Sequence, residues 1–225
     1  MGSALTARQM ISEAKKAGAT SVKFQKYDPI KLLGKDSPYL GDARQLSWEE
    51  LRELKQYADG LDIEWFCSVF APEDVQKVED IGVRRHKVAS RAVNDLELLG
   101  EINKTRKPVF MSTGLSKPDE VRKALDALRD CSVTLLYCVA KYPTPIDGFD
   151  FWQMFRLAND FKLPVGLSSH CNEIWPSVKA VSLGAVAVEQ HVTINKQWVN
   201  CDTTSSLDFT QLRQLVDITK NLERL

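Results

Sequence analysis

The stretch PVFMSTGLSKPDEVRKALDALRDCSVTLLYC, residues 108–138, contains the repeating unit of this chain. Pro108–Ser112 and Val133–Cys138 are short apolar runs, and between them apolar residues such as Val121 and Leu125 recur at three- and four-residue spacing. Short apolar runs predict β-strands, whereas the longer spacing predicts an amphipathic α-helix. Strands that are apolar almost throughout are typical of parallel sheets buried on both faces by crossover helices. The stretch therefore predicts two parallel strands joined by a helix.

The same unit recurs along the whole chain. The predicted strands are Val22–Gln25, Glu64–Ser68, His86–Ser90, Pro108–Ser112, Val133–Cys138, Pro164–Ser168 and Ala185–His191. The chain begins with a predicted helix, Leu5–Ala17, and ends with another, so that eight helices accompany seven strands. Ser47 with Glu50, and Asn94 with Glu97, have the spacing of capping boxes that begin two of these helices.

An alternation that begins and ends with helices predicts an α/β fold of the TIM (β/α)8 type that is incomplete, with its first strand missing. An open doubly wound sheet is the competing topology. We favour the incomplete barrel. No linker rich in Gly, Ser or Pro divides the chain, so we expect residues 1–225 to form a single barrel domain. The strands on either side of the gap would each expose an unpaired edge, which is an aggregation liability unless something covers it.

The composition excludes several classes of function. The 225 residues include 30 basic and 30 acidic side chains, so the net charge is zero, and binding to nucleic acid or to an anionic membrane is not indicated. No apolar stretch approaches the roughly 18 residues that a membrane span requires, and we expect a cytoplasmic protein. Five cysteines without C-x-x-C spacing favour free thiols over a disulfide framework.

Polar side chains collect where the predicted strands end, which is the catalytic rim of a barrel. Lys23 and Lys87 lie inside apolar strands, where an ammonium group is costly unless it faces a polar lumen or an anion. For either lysine alone, a solvated side chain at a strand end is an equally good explanation. Two lysines accompanied by serines on successive strands instead favour a pocket for phosphate or carboxylate.

Two of the three histidines, His170 and His191, end the last two predicted strands. Neighbouring strands lie about 4.8 Å apart, so the two imidazoles can share one metal ion. Two protein ligands make an incomplete site, which waters or substrate oxygens would have to complete. His86 alternates with Lys87 and is expected to point to the opposite, helix-covered face, where it would have a packing role.

Six short motifs follow one another along the chain: V-K-F-Q at 22–25, H-K-V-A-S at 86–90, M-S-T-G at 111–114, Y-P-T-P at 142–145, G-L-S-S-H at 166–170 and E-Q-H-V-T at 189–193. Together they resemble the sialic acid synthase family. The resemblance implies a transferase whose barrel domain condenses phosphoenolpyruvate with an N-acetylmannosamine-type sugar aldehyde. The products are phosphate and a nonulosonic acid, a nine-carbon 2-keto acid. Members that make legionaminic and pseudaminic acids look similar.

The resemblance also implies roles for individual residues. Those implied to hold the phosphate and carboxylate of phosphoenolpyruvate are Lys23, Ser68, Lys87, Ser90, Ser112 and Ser168. Those implied to face the sugar, an N-acetylhexosamine, are Gln25, Tyr142 and Asp202. For Asp202, a role in a turn or in capping a helix is the equally weighted alternative.

His170 and His191 are implied to hold a divalent metal, with Mn expected ahead of Mg, Co or Zn. In the implied reaction the metal polarises the acceptor aldehyde and C3 of phosphoenolpyruvate attacks it. Water then adds at the resulting cationic C2 before phosphate leaves. The lysines, including Lys23 and Lys87, offset the triple negative charge of the donor.

Three features depart from the family pattern. Family members usually open with a strand ending in a Glu-Ile-Gly pattern, whereas this chain begins just past that point. After the sixth strand of the family pattern, the chain has Cys138-Val139-Ala140-Lys141 where the family tends to place Ser or Thr with Asn or Ser. The family's C-terminal antifreeze-like domain, which lends an Arg to the sugar across a homodimer, is not in this sequence. We therefore expect weak or absent synthase activity from the chain as given.

Two alternatives stay open at this point. One is a non-catalytic barrel remnant that binds an anion or a sugar. The other is a related phosphoenolpyruvate-dependent synthase that acts on a phosphorylated sugar. Phosphate release separates an enzyme from a binding module, and a comparison of sugars with and without phosphate separates the two enzymes.

Overall fold

The computed structural model of the chain describes residues 3–37, 45–198, 202–222 and 224. Within these ranges one sheet contains the strands β1 (Ser21–Lys26), β2 (Glu64–Val69), β3 (His86–Val88), β4 (Val109–Ser112), β5 (Val133–Cys138), β6 (Val165–Ser169) and β7 (Val188–Gln190). Each strand pairs in parallel with the next strand of the sequence. All seven predicted strands are confirmed.

The helices of the described ranges are α1 (Ala4–Ala17), α2 (Pro29–Leu33), α3 (Trp48–Gly60), α4 (Glu73–Ile81), α5 (Leu96–Thr105), α6 (Pro118–Ala127), α7 (Trp152–Phe161), α8 (Trp175–Ser182) and α9 (Phe209–Leu222). Eight of them match the prediction. The short helix α2 was not predicted, because its five residues are too few to show a helical period. The Asp28 carboxylate caps α2 by accepting hydrogen bonds from the backbone N–H groups of Ile30 and Lys31.

The strand order distinguishes the two predicted topologies. The order runs from β1 to β7 without a reversal, whereas a doubly wound sheet reverses its order at a switch point. The sheet is curled, because Lys23 Nζ on β1 lies 3.9 Å from Glu189 Oε2 on β7 although these strands are at opposite ends of the order. Outside the sheet, α1 packs against α9, and the Arg213 guanidinium donates a hydrogen bond to the Lys16 carbonyl. A doubly wound sheet does not fit these contacts.

The two terminal strands differ from those between them. Strands β2 and β6 are buried along almost their whole length, whereas every residue of β1 and β7 is partly exposed. In the described part of the chain, β1 pairs only with β2 and β7 only with β6. Among the described residues, each terminal strand therefore has one unpaired edge.

Most of the core lies between the sheet and the surrounding helices. Fully buried side chains such as Ile11, Leu54, Val78 and Leu99 point inward from α1, α3, α4 and α5. Burial of one such side chain contributes about 1.5–3 kcal/mol. The helical shell thus stabilises the sheet by covering its outer face.

Two predicted strands are shorter than expected by two residues or more. Strand β3 ends at Val88 because Ser90–Ala92 turns into a 3-10 helix, which leaves Ser90 beyond the strand. The last strand begins at Val188 rather than at Ala185. His191 therefore lies one residue past the end of β7, at the rim rather than within the sheet.

One of the two predicted capping boxes is confirmed. Ser47 Oγ accepts from the backbone N–H of Glu50 at 3.1 Å, and the Glu50 carboxylate accepts from the backbone N–H of Ser47 at 2.6 Å. The second box is wrong, because Asp95 rather than Asn94 caps α5 and accepts the hydrogen bond of Leu98 N–H at 3.0 Å. The Asn94 side chain instead donates to a carboxylate of the neighbouring helix α6.

His86 has the packing role that was predicted. Its side chain is buried on the helix-covered face, with Nε2 2.9 Å from Glu79 Oε1 of α4. Four of the cysteines are free thiols, as expected, and Cys201 lies outside the described residues. None of the described helices is long and apolar enough to cross a membrane.

Candidate active site

The inner face of the curled sheet brings most of the predicted polar residues together. Two rows of register partners reach this face: Gln25, Ser68 and Lys87 on β1 to β3, and Cys138, Ser168 and Glu189 on β5 to β7. Register partners on adjacent strands point to the same face, and so do residues two apart along one strand. His170 and His191, two residues beyond Ser168 and Glu189, therefore extend the second row to the rim.

Three charged side chains meet on this face. Lys23 Nζ lies 3.9 Å from Glu189 Oε2, and Lys87 Nζ lies 3.8 Å from Glu189 Oε1. Burial raises the pKa of Glu189, but the two ammonium groups outweigh this effect and the pKa falls to about 2. Burial lowers the pKa of Lys87, while the carboxylate of Glu189 opposes that shift. Two basic side chains thus face one carboxylate, an arrangement that suits an anionic ligand.

Hydroxyl groups hold this charged cluster in place. Lys87 Nζ, on a side chain that is only 3% exposed, donates to Ser112 Oγ at 2.8 Å and to the Val88 carbonyl at 3.0 Å. Ser168 Oγ donates to Glu189 Oε1 at 2.9 Å. A charge that leaves water needs such partners, because charge-assisted hydrogen bonds replace part of its lost hydration.

Two further predicted serines are placed differently from each other. Ser90 Oγ accepts a hydrogen bond from the backbone N–H of Gly114 at 3.1 Å, which ties the loop after β3 to the loop after β4. Ser68 Oγ is buried and finds no hydrogen-bond partner among the described residues. Unsatisfied buried hydroxyl groups are rare in folded proteins. Ser68 is the register partner of Lys87. A ligand oxygen bound beside Lys87 would therefore give the Ser68 hydroxyl the hydrogen-bond partner that it lacks among the described residues.

The two histidines lie close together at the rim, with ring centroids 5.4 Å apart. His170 Nδ1 is 2.9 Å from the Val139 carbonyl oxygen, which can only accept, so Nδ1 must carry a proton. Burial lowers the pKa of His170 to about 4, although the bond to Val139 opposes this shift. Burial also lowers the pKa of His191, against the attraction of Asp202. Both imidazoles are therefore neutral near pH 7, and Nε2 of His170 has a lone pair.

Tyr142 lies over this pair of histidines. Its hydroxyl is 2.8 Å from His170 Nε2, and the two rings are stacked with centroids 3.9 Å apart. The Tyr142 ring is also 6.2 Å from the ring of His191. Half of Tyr142 is exposed, so it forms part of the surface that a ligand entering from solvent would meet first.

The histidine pair has the donor chemistry of a metal site. Neutral imidazole is a common ligand for several divalent transition metals, and a second hydrogen bond such as that from Nδ1 to Val139 typically orients a metal-binding histidine. The described residues contain no group of three or more His, Cys, Asp and Glu side chains that could hold an ion. His170 and His191 thus fit a metal only as part of a site that is completed by water or by substrate oxygens.

The remaining predicted residues have less defined positions. Gln25 is placed on the inner face by its register with Ser68. Asp202 follows the part of the chain that is outside the described residues, and its carboxylate opposes the lowering of the pKa of both rim histidines. Its backbone carbonyl accepts from Ser205 N–H and Ser206 Oγ, so the turn predicted as its other role also exists.

Glu189 is the central residue that the sequence did not reveal. It was quoted within E-Q-H-V-T but was given no role, although an acidic residue in an apolar strand is as costly as the two lysines. Its role depends on contacts with Lys23 and Lys87, which are more than a hundred residues away in the sequence. The sequence did contain one signal for this role. A carboxylate in an apolar strand is costly to bury, so an acidic residue there predicts a basic partner nearby.

Known proteins share both the fold and the sequence pattern. A solved N-acetylneuraminic acid (sialic acid) synthetase from Leptospira borgpetersenii matches with a TM-score of 0.94 and 25% identity, over 99% of this chain and 80% of that one. A pseudaminic acid synthase from Helicobacter pylori is 29% identical over 95% of this chain and 68% of the relative. An uncharacterized protein from Methanocaldococcus jannaschii is 33% identical over 97% of this chain and 66% of the relative.

The chain is an α/β protein with a curled parallel sheet. The basic cluster and the histidine pair lie at the carboxyl ends of its strands, which is where α/β-barrel enzymes have their active sites. The NeuB family model matches residues 10–225. The chain belongs to the NeuB family, in agreement with the resemblance to sialic acid synthases that its six motifs indicate. It spans about two thirds of the length of the curated relatives described above.

Proposed function

We propose that this chain is the barrel domain of a transferase that condenses phosphoenolpyruvate with an N-acetylmannosamine-type sugar aldehyde, giving a nonulosonic acid and phosphate. One observation carries the proposal: Lys23 and Lys87, from separate strands, share the carboxylate of Glu189 beside the unsatisfied hydroxyl of Ser68. Two cations and several hydroxyl groups match a donor that carries both a phosphate and a carboxylate, because charge-assisted hydrogen bonds to these groups are strong. The names of the pseudaminic acid and sialic acid relatives support the same reaction class.

The residues divide the work of binding the donor. Lys23 and Lys87 offset the negative charge of phosphoenolpyruvate, and Ser68, Ser90 and the serines that already hold the charged cluster supply hydroxyl groups. Because Glu189 keeps both ammonium groups in place before the donor arrives, the pocket does not have to reorganise on binding. Preorganised charges of this kind are the main source of electrostatic catalysis.

We infer that His170 and His191 hold a divalent metal, with Mn ahead of Mg, Co and Zn. When bound, such an ion supplies Lewis-acid polarisation of the acceptor's carbonyl oxygen. His170 is oriented for this role by the hydrogen bond from Nδ1 to Val139. Gln25, Tyr142 and Asp202 are proposed to face the sugar, and the exposed position of Tyr142 at the rim supports that assignment.

We further propose that the sheet is a TIM (β/α)8-type barrel with one strand position, between β7 and β1, that the described residues do not fill. The single-sided pairing of β1 and β7 supports this arrangement, as do the packing of α1 against α9 and the ion pair between Lys23 and Glu189. The strand that fills this position in the family ends in Glu-Ile-Gly. A cytoplasmic location and a homodimer remain predictions.

The test measures phosphate release from phosphoenolpyruvate with Mn²⁺, using N-acetylmannosamine and its 6-phosphate as separate acceptors. Two forms of the protein are compared: the chain as given, and a chain extended at its N-terminus by a strand ending in Glu-Ile-Gly. The Lys87→Met variant of the extended chain is the control for contaminating activity. We expect release by the extended chain with the unphosphorylated sugar, weak release by the original chain, and none by the control.

Other outcomes assign a different function. Turnover only with the phosphorylated sugar would favour the second enzyme class. Stoichiometric binding of phosphoenolpyruvate without release by either form would favour the binding module, and no binding at all would contradict the proposal. If the extended chain gains neither thermal stability nor turnover, the account of the missing strand is wrong.

A further inference from the structure

The hydrogen bond between Tyr142 and His170 has a chemical consequence for the proposed metal site, on which this inference rests. Because Nδ1 of His170 donates to the Val139 carbonyl, Nε2 has the only lone pair in the plane of the neutral ring. Tyr142 O–H donates to that lone pair at 2.8 Å. One lone pair cannot accept this hydrogen bond and bind a metal ion at the same time.

We propose that Tyr142 is a displaceable cap on the metal site: its hydroxyl occupies Nε2 of His170 in the metal-free protein and leaves when the metal binds. Metal binding then breaks the hydrogen bond between Tyr142 and His170, and the apparent metal affinity is lower than the intrinsic affinity of the two histidines. The apparent association constant for the metal equals the intrinsic constant multiplied by the fraction of molecules in which the lone pair is accessible.

The surroundings of Tyr142 allow its side chain to move without its backbone. Thr144, which is buried, donates its backbone N–H to the His170 carbonyl at 2.9 Å and its hydroxyl to the Lys141 carbonyl at 2.7 Å. These bonds fix the loop against the end of β6. Tyr142 is 51% exposed, so its ring already borders the solvent into which it would rotate away from His170. The cap is therefore a side-chain movement on a fixed loop.

The experiment compares Co²⁺ binding by the wild-type chain and by Tyr142→Phe, using calorimetry and the visible absorption of the bound ion. Phenylalanine keeps the ring that stacks on His170 and removes only the hydroxyl. The matched control is Tyr57→Phe on α3, where the ring lies against the Arg8 guanidinium, away from the strand ends. We expect Tyr142→Phe to bind Co²⁺ about two- to twelvefold more tightly, as the loss of one competing hydrogen bond predicts, and Tyr57→Phe to bind as wild type.

Each other result has a distinct meaning. If Tyr142→Phe binds Co²⁺ with unchanged affinity, the proposal that Tyr142 caps the metal site is wrong. If it binds Co²⁺ more weakly, the proposal is also wrong, because the hydroxyl then helps to hold the ion. If the wild-type chain binds no Co²⁺ at all, the proposed metal site fails as well, so the two failures are distinguishable.

A second readout does not depend on affinity. Tyrosine is replaced throughout by 3-fluorotyrosine, and the fluorine resonance of Tyr142 is identified by its absence in Tyr142→Phe. Diamagnetic Zn²⁺ should shift this resonance at one equivalent as the hydroxyl leaves His170. A resonance that stays in place while Zn²⁺ is bound overturns the cap.

Discussion

Replacement of Lys87 by Met tests the charged cluster most fully. The Lys87 side chain is 3% exposed, and its ammonium group contacts Ser112 Oγ at 2.8 Å and Glu189 Oε1 at 3.8 Å. Methionine keeps the unbranched apolar part of the side chain and removes the charge. The substitution therefore leaves Glu189 with Lys23 as its only cationic partner within 4.0 Å in the described structure.

The expected magnitudes follow from burial and from the number of lost contacts. Removal of one partner of a buried ion pair costs about 3–5 kcal/mol. The Glu189 side chain is 23% exposed and retains Lys23 at 3.9 Å, so the lower part of this range, about 3 kcal/mol, is expected. Loss of one charge-assisted contact to phosphoenolpyruvate is worth about 1.5–3 kcal/mol, which weakens its Kd roughly 10- to 150-fold.

The assay is a double-mutant cycle with Lys87→Met, Glu189→Gln and the double variant. Urea unfolding gives the free energy of unfolding, and calorimetry at fixed ionic strength gives the Kd for phosphoenolpyruvate. Because the double variant removes both charges, it should be less destabilised than the sum of the single variants by at least 1 kcal/mol, roughly the coupling of residues in contact. Additive destabilisation would refute the ion pair, and an unchanged Kd in Lys87→Met would refute the donor pocket.

Further predictions concern the metal, the packing and the effect of pH. Replacing both histidines of the proposed metal site by Ala should abolish binding of divalent metal, and stoichiometric binding of Mn²⁺ with unchanged affinity would contradict the site. Gly166→Ala should destabilise the protein by about 1–3 kcal/mol in urea unfolding, because its Cβ would collide with the backbone oxygen of Ala187. Gly100→Ala, in an open position of helix α5, should stabilise it by up to about 1 kcal/mol, and equal effects at the two glycines would refute the packing argument. Burial lowers the pKa of His86, so below its unfolded value of about 6.5 the unfolded chain gains the proton first and stability falls as pH decreases. His86→Gln should make unfolding less dependent on pH between about 7 and 5, and an unchanged pH dependence would contradict this assignment.

The architecture was predictable because each strand is a short apolar run and every helix except α2 is long enough to show a helical period. Strand order followed from the alternation, since consecutive parallel strands joined by helices usually lie side by side. The predictions that failed concern local structure. Helix α2 is too short to show a period, and the choice between Asn94 and Asp95 as the cap of α5 depends on a competing contact with α6. Such choices are settled by tertiary contacts that propensity does not include.

The candidate site was predictable where a single residue conflicts with its surroundings. A lysine in an apolar strand or a histidine at a strand end is visible in the sequence, and Lys87 and His170 both lie where the pattern indicated. Glu189 was missed because its role depends on residues of two other strands. The bond between Tyr142 and His170 was missed because it depends on the conformation of the loop after β5.

The most direct test of the account is a crystal structure of the chain with phosphoenolpyruvate bound. The account predicts that the phosphate and carboxylate oxygens of the donor lie within hydrogen-bond distance of Lys23 Nζ, Lys87 Nζ and Ser68 Oγ, on the inner face of the sheet. A donor bound elsewhere on the protein, or bound on this face without contact to either lysine, would contradict it.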